Sequence, residues 1–574
     1  MANGFFAAAV QAGTNSWKAM LFGSLDAGNA ITVDKPALSL WPMEIAGRLF
    51  GFNSWSMLVP QALEGVASVA LVYAAVRRVT TPVFGLLAGL ALALTPVAVL
   101  MFRFNNPDAM LVLLLTGASY AVVRALQAAS GRWLAFAGLL VGLGFITKMG
   151  QALLVVPALG LAYLLAAPVG LGRRVLHLLG SLAALVAGAG WYIALVDLWP
   201  AGSRPYIGGS TNNSLLELAL GYNGLGRLFG NTAGNGSGQP GGGGGGLGGS
   251  SSFGGATGLG RLFRADMATE ISWLLPAALL ALVAGLVLTA RAPRTDLRRA
   301  ALIVFGGSLV VTFLTFSFMQ GVIHPYYTIA LAPEIAAVLA VTSSVLWECR
   351  ASLTARIIAA VLVETTVVWD VHLLGSWQPG LKVVLVVVSV LAVVALLFRE
   401  VLGRLAVAGL LAAVVTAGGG TGAHALSTAS HAHSGSLPSS GPVASAQGNR
   451  GDQSRAASTA LVVLLAKTTT RWAAATNSAG SSSPLQIASG RPVLAIGGFN
   501  GSDNSPTLAQ FKAWVAAGQI SYYVSGGQGG GGQGGGGQGG GGAGSSSASQ
   551  IASWVAAHFT ATTVGGSTVY LLAS

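Results

Sequence analysis

The sequence predicts a polytopic α-helical membrane protein with about twelve spans, thirteen in a full-length form, carrying a small α/β domain at its C-terminal end. Three observations lead there. Of 574 residues, 53% are hydrophobic and only 8% are charged, whereas a soluble domain carries about 25% charged residues. Apolar stretches long enough to cross about 30 Å of hydrocarbon recur from Met57 to Ala417. From about Ala456 the pattern changes to that of soluble helices and strands. The formal charge of +13 would suggest nucleic acid in a soluble chain. In a membrane protein it reflects arginine in cytoplasmic loops, and no nucleic-acid partner is expected. A single cysteine, Cys349, excludes an intrachain disulfide and reads as a small buried hydrophobe.

The spans fall at 57–76, 83–101, 109–123, 133–147, 152–169, 176–198, 271–290, 301–319, 327–347, 357–374, 381–398 and 405–417. Alternate connections hold Arg77 and Arg78; Arg124 and Arg132; Arg173 and Arg174; Arg291, Arg294, Arg298 and Arg299; Arg350 and Arg356; Arg399 and Arg404. Loops rich in arginine stay in the cytoplasm. The long segments then lie outside: residues 1–56 as a first extracytoplasmic loop with juxtamembrane helices, the loop 199–270, and everything after 417. "MANGFFAAAV" has neither the basic start nor the apolar core of an export signal, so an upstream span is expected.

Residues 57–417 form the membrane domain, and 418–455 a Gly/Ser/His-rich linker. His424, His431 and His433 lack a cysteine or carboxylate among them, which favours a tether over a metal site. In 456–574, "AASTALVVLLAK" and "SPTLAQFKAWVAAG" have helical periodicity, with Ser505 and Pro506 as cap and first turn. "RPVLAIGG", "ISYYVSG" and "STVYLLA" read as buried strands. The glycine tracts Gly241–Gly246 and Ser525–Ser547, the latter with Gln528, Gln533 and Gln538, lack the ending of a phosphate-binding loop and read as insertions.

Several charges sit on the side that the orientation rule leaves without cations. Asp34 and Lys35 precede the first span in "ITVDKPALSLWP". Arg103 and Asp108 lie in "MFRFNNPDAML", Lys148 in "FITKMGQ", and His324, Tyr326 and Tyr327 in "GVIHPYYTIA". A charge in the apolar zone costs about 2.5–3.5 kcal/mol on insertion scales. Such charges at one membrane level suit a phosphorylated lipid, with lysine and arginine on its phosphate oxygens. A carboxylate could take a proton from an acceptor hydroxyl or hold a divalent cation that bridges to phosphate. Snorkelling and local ion pairs are the plainer alternative. Glu64 and Glu334, inside spans, suit interhelical hydrogen bonds.

"VDKPALSLW" resembles the acid-Lys-Pro-Pro signature of the first outer loop in C-type glycosyltransferases of the protein O-mannosyltransferase and lipid A aminoarabinose transferase superfamily. "MFRFNNPDAMLVLL" and "HPYYTIALAPEIAAVLA" extend the likeness. The tract "GYNGLGRLFGN" and the Gly-rich C-terminal domain are similar to the bacterial mannosyltransferase branch with an extracytoplasmic C-terminal domain. The resemblance implies the C-type fold in the cell membrane and transfer of a monosaccharide, mannose or a pentose, from a polyprenyl-phosphate donor. The acceptor would be a lipid, glycan or protein at the outer face, with inversion at the anomeric carbon. It implies Asp34 and Asp108 as catalytic residues or metal ligands, Lys35, Arg103 and Lys148 as donor-phosphate ligands, and His324, Tyr326 and Tyr327 as substrate contacts. A divalent metal is the one cofactor in view. Two departures stand out: Asn3-Gly4 replaces an acid at the start of the loop, which leaves the base unassigned, and Ala37 replaces the second proline. The competing functions are a membrane transporter, disfavoured by the lack of an internal repeat, and a non-catalytic cell-envelope assembly protein.

Overall fold

The structure, a computed structural model, describes residues 3–230, 254–398, 405–442, 457–525 and 546–573. Eight helical runs among them are long and apolar enough to cross a membrane: Ser54–Val79, Asp108–Ala128, Gly131–Ala166, Leu171–Leu198, Leu297–Phe318, Pro325–Glu348, Leu353–Leu374 and Pro379–Leu397. Two shorter apolar helices, Pro82–Leu94 and Leu275–Leu288, and the helix Leu405–Ser430 fill the remaining expected spans. The Gly131–Ala166 run is two spans. Met149 has φ 50°, and the chain then doubles back. The Tyr163 hydroxyl near its end meets His177 Nδ1 at 2.7 Å, and Gly131 at its start abuts the same imidazole.

Local chemistry sets the helix starts. Asn53 and Ser56 form a reciprocal capping box before Ser54–Val79. Prolines open Pro82–Leu94 and Pro379–Leu397, where a missing N–H costs nothing. Pro379–Leu397 buries Ser389, Ala392 and Ala395 but exposes Val383, Val384, Val387 and Leu391. An apolar outer face of this kind belongs in lipid. The most enclosed spans are Asp108–Ala128 and Pro325–Glu348, at 72% and 83% buried. Both begin at the end of the bundle opposite the arginine-rich turns, so they hold the residues at that end rigidly.

Close helix packing runs through glycine. A Cβ on Gly138 would lie 2.0 Å from the Ser181 carbonyl oxygen, and one on Gly142 2.4 Å from that of Leu185. Reciprocally, a Cβ on Gly188 would lie 2.9 Å from the Leu139 oxygen. Small residues four apart let two backbones approach where lipid offers no hydrophobic drive.

The C-terminal domain is a five-stranded sheet of β1 (Trp472–Asn477), β2 (Val493–Ile496), β3 (Ile520–Ser525), β4 (Ala561–Val564) and β5 (Ser567–Leu571), ordered β2-β1-β3-β5-β4. β1 runs parallel to β2 and β3, in register Ala474 to Val493 and Trp472 to Ile520. β5 is antiparallel to β3 and β4. β1 carries three consecutive alanines between Trp472 and Thr476, which dilute the branched and aromatic signal that marks strands, so its sequence concealed it. The domain packs on the N-terminal segment. Gln486 donates to the carbonyls of Ala8 and Leu25 at 3.0 and 2.9 Å. Trp472 donates to Asp26 at 2.7 Å. Phe5, Val10, Ile31 and Val33 share one apolar cluster with Ala479 and Ala495.

Several expectations are corrected. Residues 418–430 are not linker but the last turns of Leu405–Ser430, and Ser440 and Gly441 bond back to Glu270 and Thr428. His424 is buried there, with Trp273 and Trp377 rings 5.0 and 5.9 Å away. Cys349 is exposed, because it lies just past the end of its helix. Both Glu64 carboxylate oxygens and one of Glu334 lack hydrogen-bond partners among the described residues. The helix cap in the C-terminal domain is Thr507, paired with Gln510, rather than Ser505. Residues 443–455 of the expected linker, Gly241–Gly246, and Gln528, Gln533 and Gln538 lie outside the described residues.

Gly142→Leu should force the Gly131–Lys148 and Leu171–Leu198 helices apart at a cost of about 1–3 kcal/mol, lowering the thermal unfolding midpoint of the detergent-solubilised protein. Gly190→Leu, on the second helix where a Cβ meets nothing within 4 Å, should leave the midpoint in place. Equal midpoints for the two variants would count against the glycine contact.

Candidate active site

The Asp34-Lys35 pair lies in the loop between the helix Trp17–Phe22 and a short turn at Ala37–Ser39. Pro36, at φ −63°, extends the chain there. Lys35 Nζ donates to Asp34 Oδ2 at 2.9 Å and to Asn223 Oδ1 at 2.9 Å. Asn223 Nδ2 returns a bond to the Asp34 carbonyl at 2.8 Å. One asparagine therefore clamps both backbone and ammonium, and Lys35 is only 7% exposed.

Asn223 belongs to the Gly221–Leu225 turn of π-helix, which leads into Gly226–Phe229. Arg227, one turn on, reaches Asn223 Oδ1 at 3.3 Å, the Val322 carbonyl at 2.9 Å and the Tyr327 hydroxyl at 3.1 Å. Tyr327 in turn lies under Lys148, whose Nζ is 3.6 Å from the ring centroid. Lys148 closes the series on Asp108 Oδ1 at 2.5 Å. Asp108 is fully buried, and its other oxygen has no hydrogen-bond partner among the described residues. The His324 ring stacks on Tyr326 at 5.4 Å and meets Tyr327 edge-on at 5.1 Å.

The electrostatics follow from burial. Desolvation opposes charge on Asp34, but Lys35 and then Arg227 outweigh it and hold the carboxyl below its ordinary value. Burial lowers Lys35 to about 8, although Asp34 opposes the shift. Burial and the nearby Arg227, Lys148 and Lys35 bring His324 down to about 3, so its imidazole is neutral. Lys35, Lys148 and Arg227 outnumber Asp34 and Asp108 by one charge. The site is a small cluster of these charges packed among Tyr222, Tyr326 and Tyr327.

The structure thus brings together Asp34, Lys35, Asp108, Lys148, His324, Tyr326 and Tyr327. It does not bring in Arg103, whose exposed side chain donates to the Ala429 carbonyl at 2.9 Å at the end of Leu405–Ser430. Arg103 leaves the preceding helix in a turn that points it outward, and Arg227 occupies the place expected for it. Arg227, Asn223 and Tyr222 were missed as site residues because they lie in a long loop, where an isolated cation carries no orientation signal. The available signal was the tract "GYNGLGRLFGN", which holds Tyr222, Asn223 and Arg227 together. The carboxylates do not suit a divalent cation. Each already holds a lysine, and no group of three or more His, Cys, Asp or Glu gathers among the described residues.

Residues 34–193 match the family described as dolichyl-phosphate-mannose-protein mannosyltransferase, and residues 461–558 match "Putative mannosyltransferase YkcB-like, C-terminal". Two proteins of Bacillus subtilis (strain 168) are similar along most of their length. "Putative mannosyltransferase YkcB" is 30% identical over 92% of this chain and 86% of its own. "Putative mannosyltransferase YycA" is 32% identical over 91% and 87%. The chain belongs to the YkcB-like family. It is a membrane glycosyltransferase with multiple spans, and neither a transporter nor an assembly protein is favoured. The C-type fold is shared with ArnT from Cupriavidus metallidurans. The apo structure aligns at TM-score 0.54 and 14% identity, and the one bound to undecaprenyl phosphate at 0.55 and 15%; each covers 100% of this chain and 94% of ArnT. The first family match begins at Asp34 and takes in Lys35, Asp108 and Lys148.

Lys148→Met should strand the Asp108 carboxylate, and breaking a buried pair in this way costs about 3–5 kcal/mol. The expected result is a lower unfolding midpoint, recovered in large part by Lys148→Met with Asp108→Asn. A double variant no more stable than the single one would show that the pair is not what Lys148 contributes.

Proposed function

We propose that this glycosyltransferase takes its sugar from a polyprenyl-phosphate donor at the outer face of the membrane and passes it to a hydroxyl of a lipid, glycan or protein. The observation that carries the reading is the linking of three cations at the end of an apolar bundle: Lys35 and Arg227 share Asn223 Oδ1, and Arg227 and Lys148 share Tyr327. A phosphate joined to a long apolar chain needs both halves of that arrangement. Arginine-rich turns at the far end of the helices support an outer-face site, with the C-terminal domain on the same side.

In the reaction, the acceptor oxygen attacks the anomeric carbon as the bond from that carbon to the phosphate oxygen breaks. The electron pair leaves on polyprenyl phosphate, which gains one negative charge. Lys35 and Arg227 neutralise that charge in a desolvated site, where fixed charges act strongly. Tyr326, Tyr327 and neutral His324 form a wall suited to the face of a sugar ring. Positive side chains supply the neutralisation that a divalent ion provides elsewhere, so no step here is assigned to a metal.

Lys35→Ala, compared at equal amounts of membrane-inserted protein, should lower transfer from a polyprenyl-phosphate sugar by about 10²–10³. Lys35→Arg should retain part of it. Turnover of Lys35→Ala at the wild-type level would remove Lys35 from the reaction.

A lysine lowered to about 8 is charged below that pH and loses its charge as pH rises through it. The wild-type kcat/KM for donor should therefore fall above pH about 8. Arginine stays protonated far beyond this range, so Lys35→Arg should keep a larger share of its own activity on the alkaline side. Identical alkaline limbs would show that Lys35 is not the group that titrates.

A further inference from the structure

The attacking hydroxyl must lose a proton, and the two carboxylates of the pocket are poorly placed to take it. Asp34 and Asp108 each hold a lysine, and a carboxylate neutralised by an ammonium is a weak base. The start of the loop holds Asn3-Gly4 and no acid, and Asn3 is engaged with Asn105 through two backbone-to-side-chain bonds at 2.8 and 2.9 Å.

A third carboxylate arrives from the C-terminal domain. Tyr206, Gly208 and Gly209 run alongside the extended segment that leads into Asp34, with Tyr206 bridged to Ile31. Thr32 N donates to the Tyr206 carbonyl at 2.8 Å, and Gly208 N donates to Thr32 Oγ1 at 2.9 Å. The next residue, Gly209, donates its N–H to Asp503 Oδ2 at 3.0 Å. Asp503 is 4% exposed, and its Oδ1 is buried with no hydrogen-bond partner among the described residues. No lysine or arginine pairs with it there. The groups that face it electrostatically are Asp34, Tyr206 and Tyr222. Two of these, Asp34 and Tyr222, flank Lys35.

The turn that presents Asp503 is built for it. Gly497, Gly498 and Gly501 have φ of 75°, 68° and 88°, a region that other residues rarely enter. A Cβ on Gly498 would lie 2.1 Å from Asp503 Oδ2. The Asp503 N–H donates to the Gly497 carbonyl at 3.0 Å, which fixes the carboxylate from behind.

We propose that Asp503 is the base of the transfer reaction, so that the C-terminal domain completes the active site. The proton of the acceptor hydroxyl moves to Asp503 Oδ1 as the acceptor oxygen bonds to the anomeric carbon and the phosphate leaves with its electron pair. Asp503 then releases the proton to water. Gly209 holds Oδ2 so that Oδ1 stays directed at the acceptor. Burial raises the carboxyl to about 7, with Asp34 adding to the rise, which places its loss of a proton in the working range of a general base. The assignment rests on the polyprenyl-phosphate reading above.

The test uses the full chain in lipid nanodiscs, with undecaprenyl phosphate as the binding probe and a polyprenyl-phosphate sugar as donor. Asp503→Asn keeps the size of the side chain and an oxygen for Gly209. It should bind undecaprenyl phosphate as the wild type does, while transfer falls by about 10²–10⁴. The wild-type kcat/KM should rise as pH increases through about 7, and that limb should vanish in Asp503→Asn. Asp503→Glu should recover part of the rate and restore a limb. Wild-type transfer by Asp503→Asn would overturn the proposal. So would a parallel loss of probe binding and transfer in both variants, which would make Asp503 structural. A wild-type protein that does not bind undecaprenyl phosphate would instead overturn the donor reading, and the base assignment with it.

Discussion

The site depends on how an apolar bundle tolerates charge. Lys35, Lys148 and Arg227 sit at a membrane-facing depth where an isolated cation is costly. Each is compensated locally: Lys35 by Asp34 and Asn223, Lys148 by Asp108 and the Tyr327 ring, and Arg227 by Tyr327, Asn223 and a carbonyl. The compensation is incomplete by one charge. That surplus, counted over Lys35, Lys148, Arg227, Asp34 and Asp108, favours an anion, and it stands in full while the neighbouring Asp503, raised to about 7 by burial, keeps its proton. The enclosed spans Asp108–Ala128 and Pro325–Glu348 keep the partners in place because their walls are close-packed.

The second constraint is the docking of the C-terminal domain. Its contacts with the membrane half fall mainly on the N-terminal segment, through Gln486 on Ala8 and Leu25 and Trp472 on Asp26, with Asp503 on Gly209 of the loop 199–270. That segment leads directly into Asp34. The domain is seated beside the reactive loop rather than hung from a linker, and a buried carboxylate lies at the seam. The helix Leu405–Ser430, with Ser440 and Gly441 bonded back to Glu270 and Thr428, carries the chain on as folded structure beyond the last expected span.

How legible was the site? Asp34, Lys35, Asp108 and Lys148 stood out because charge in short loops between apolar spans is conspicuous. Arg103 is conspicuous in the same way, yet the structure turns it outward to Ala429, while Arg227 carries no such mark. Both are single arginines at the same end of the bundle. Sequence reveals that a cation is present, while the direction of its side chain depends on a backbone turn that hydropathy does not encode. Asp503 was less visible still, since an aspartate in a soluble loop is unremarkable until the loop is laid against Thr32 and Gly209.

The sequence by itself determined the membrane class, the number and order of the spans and the α/β character of the C-terminal domain. Those features follow from segment length and from the period of apolar residues, which are properties of contiguous stretches. It also marked the acid-lysine pair through which the resemblance was recognised. Only the tertiary structure decided that Lys35 and Lys148 join one network with Arg227, that 418–430 continue a helix, and that Asp503 lies against the loop beside the segment leading into Asp34. These are meetings of residues tens to hundreds of positions apart, such as Lys35 with Asn223 and Gly209 with Asp503. They arise from packing between segments, where one glycine or one turn redirects a side chain, and no local pattern records them.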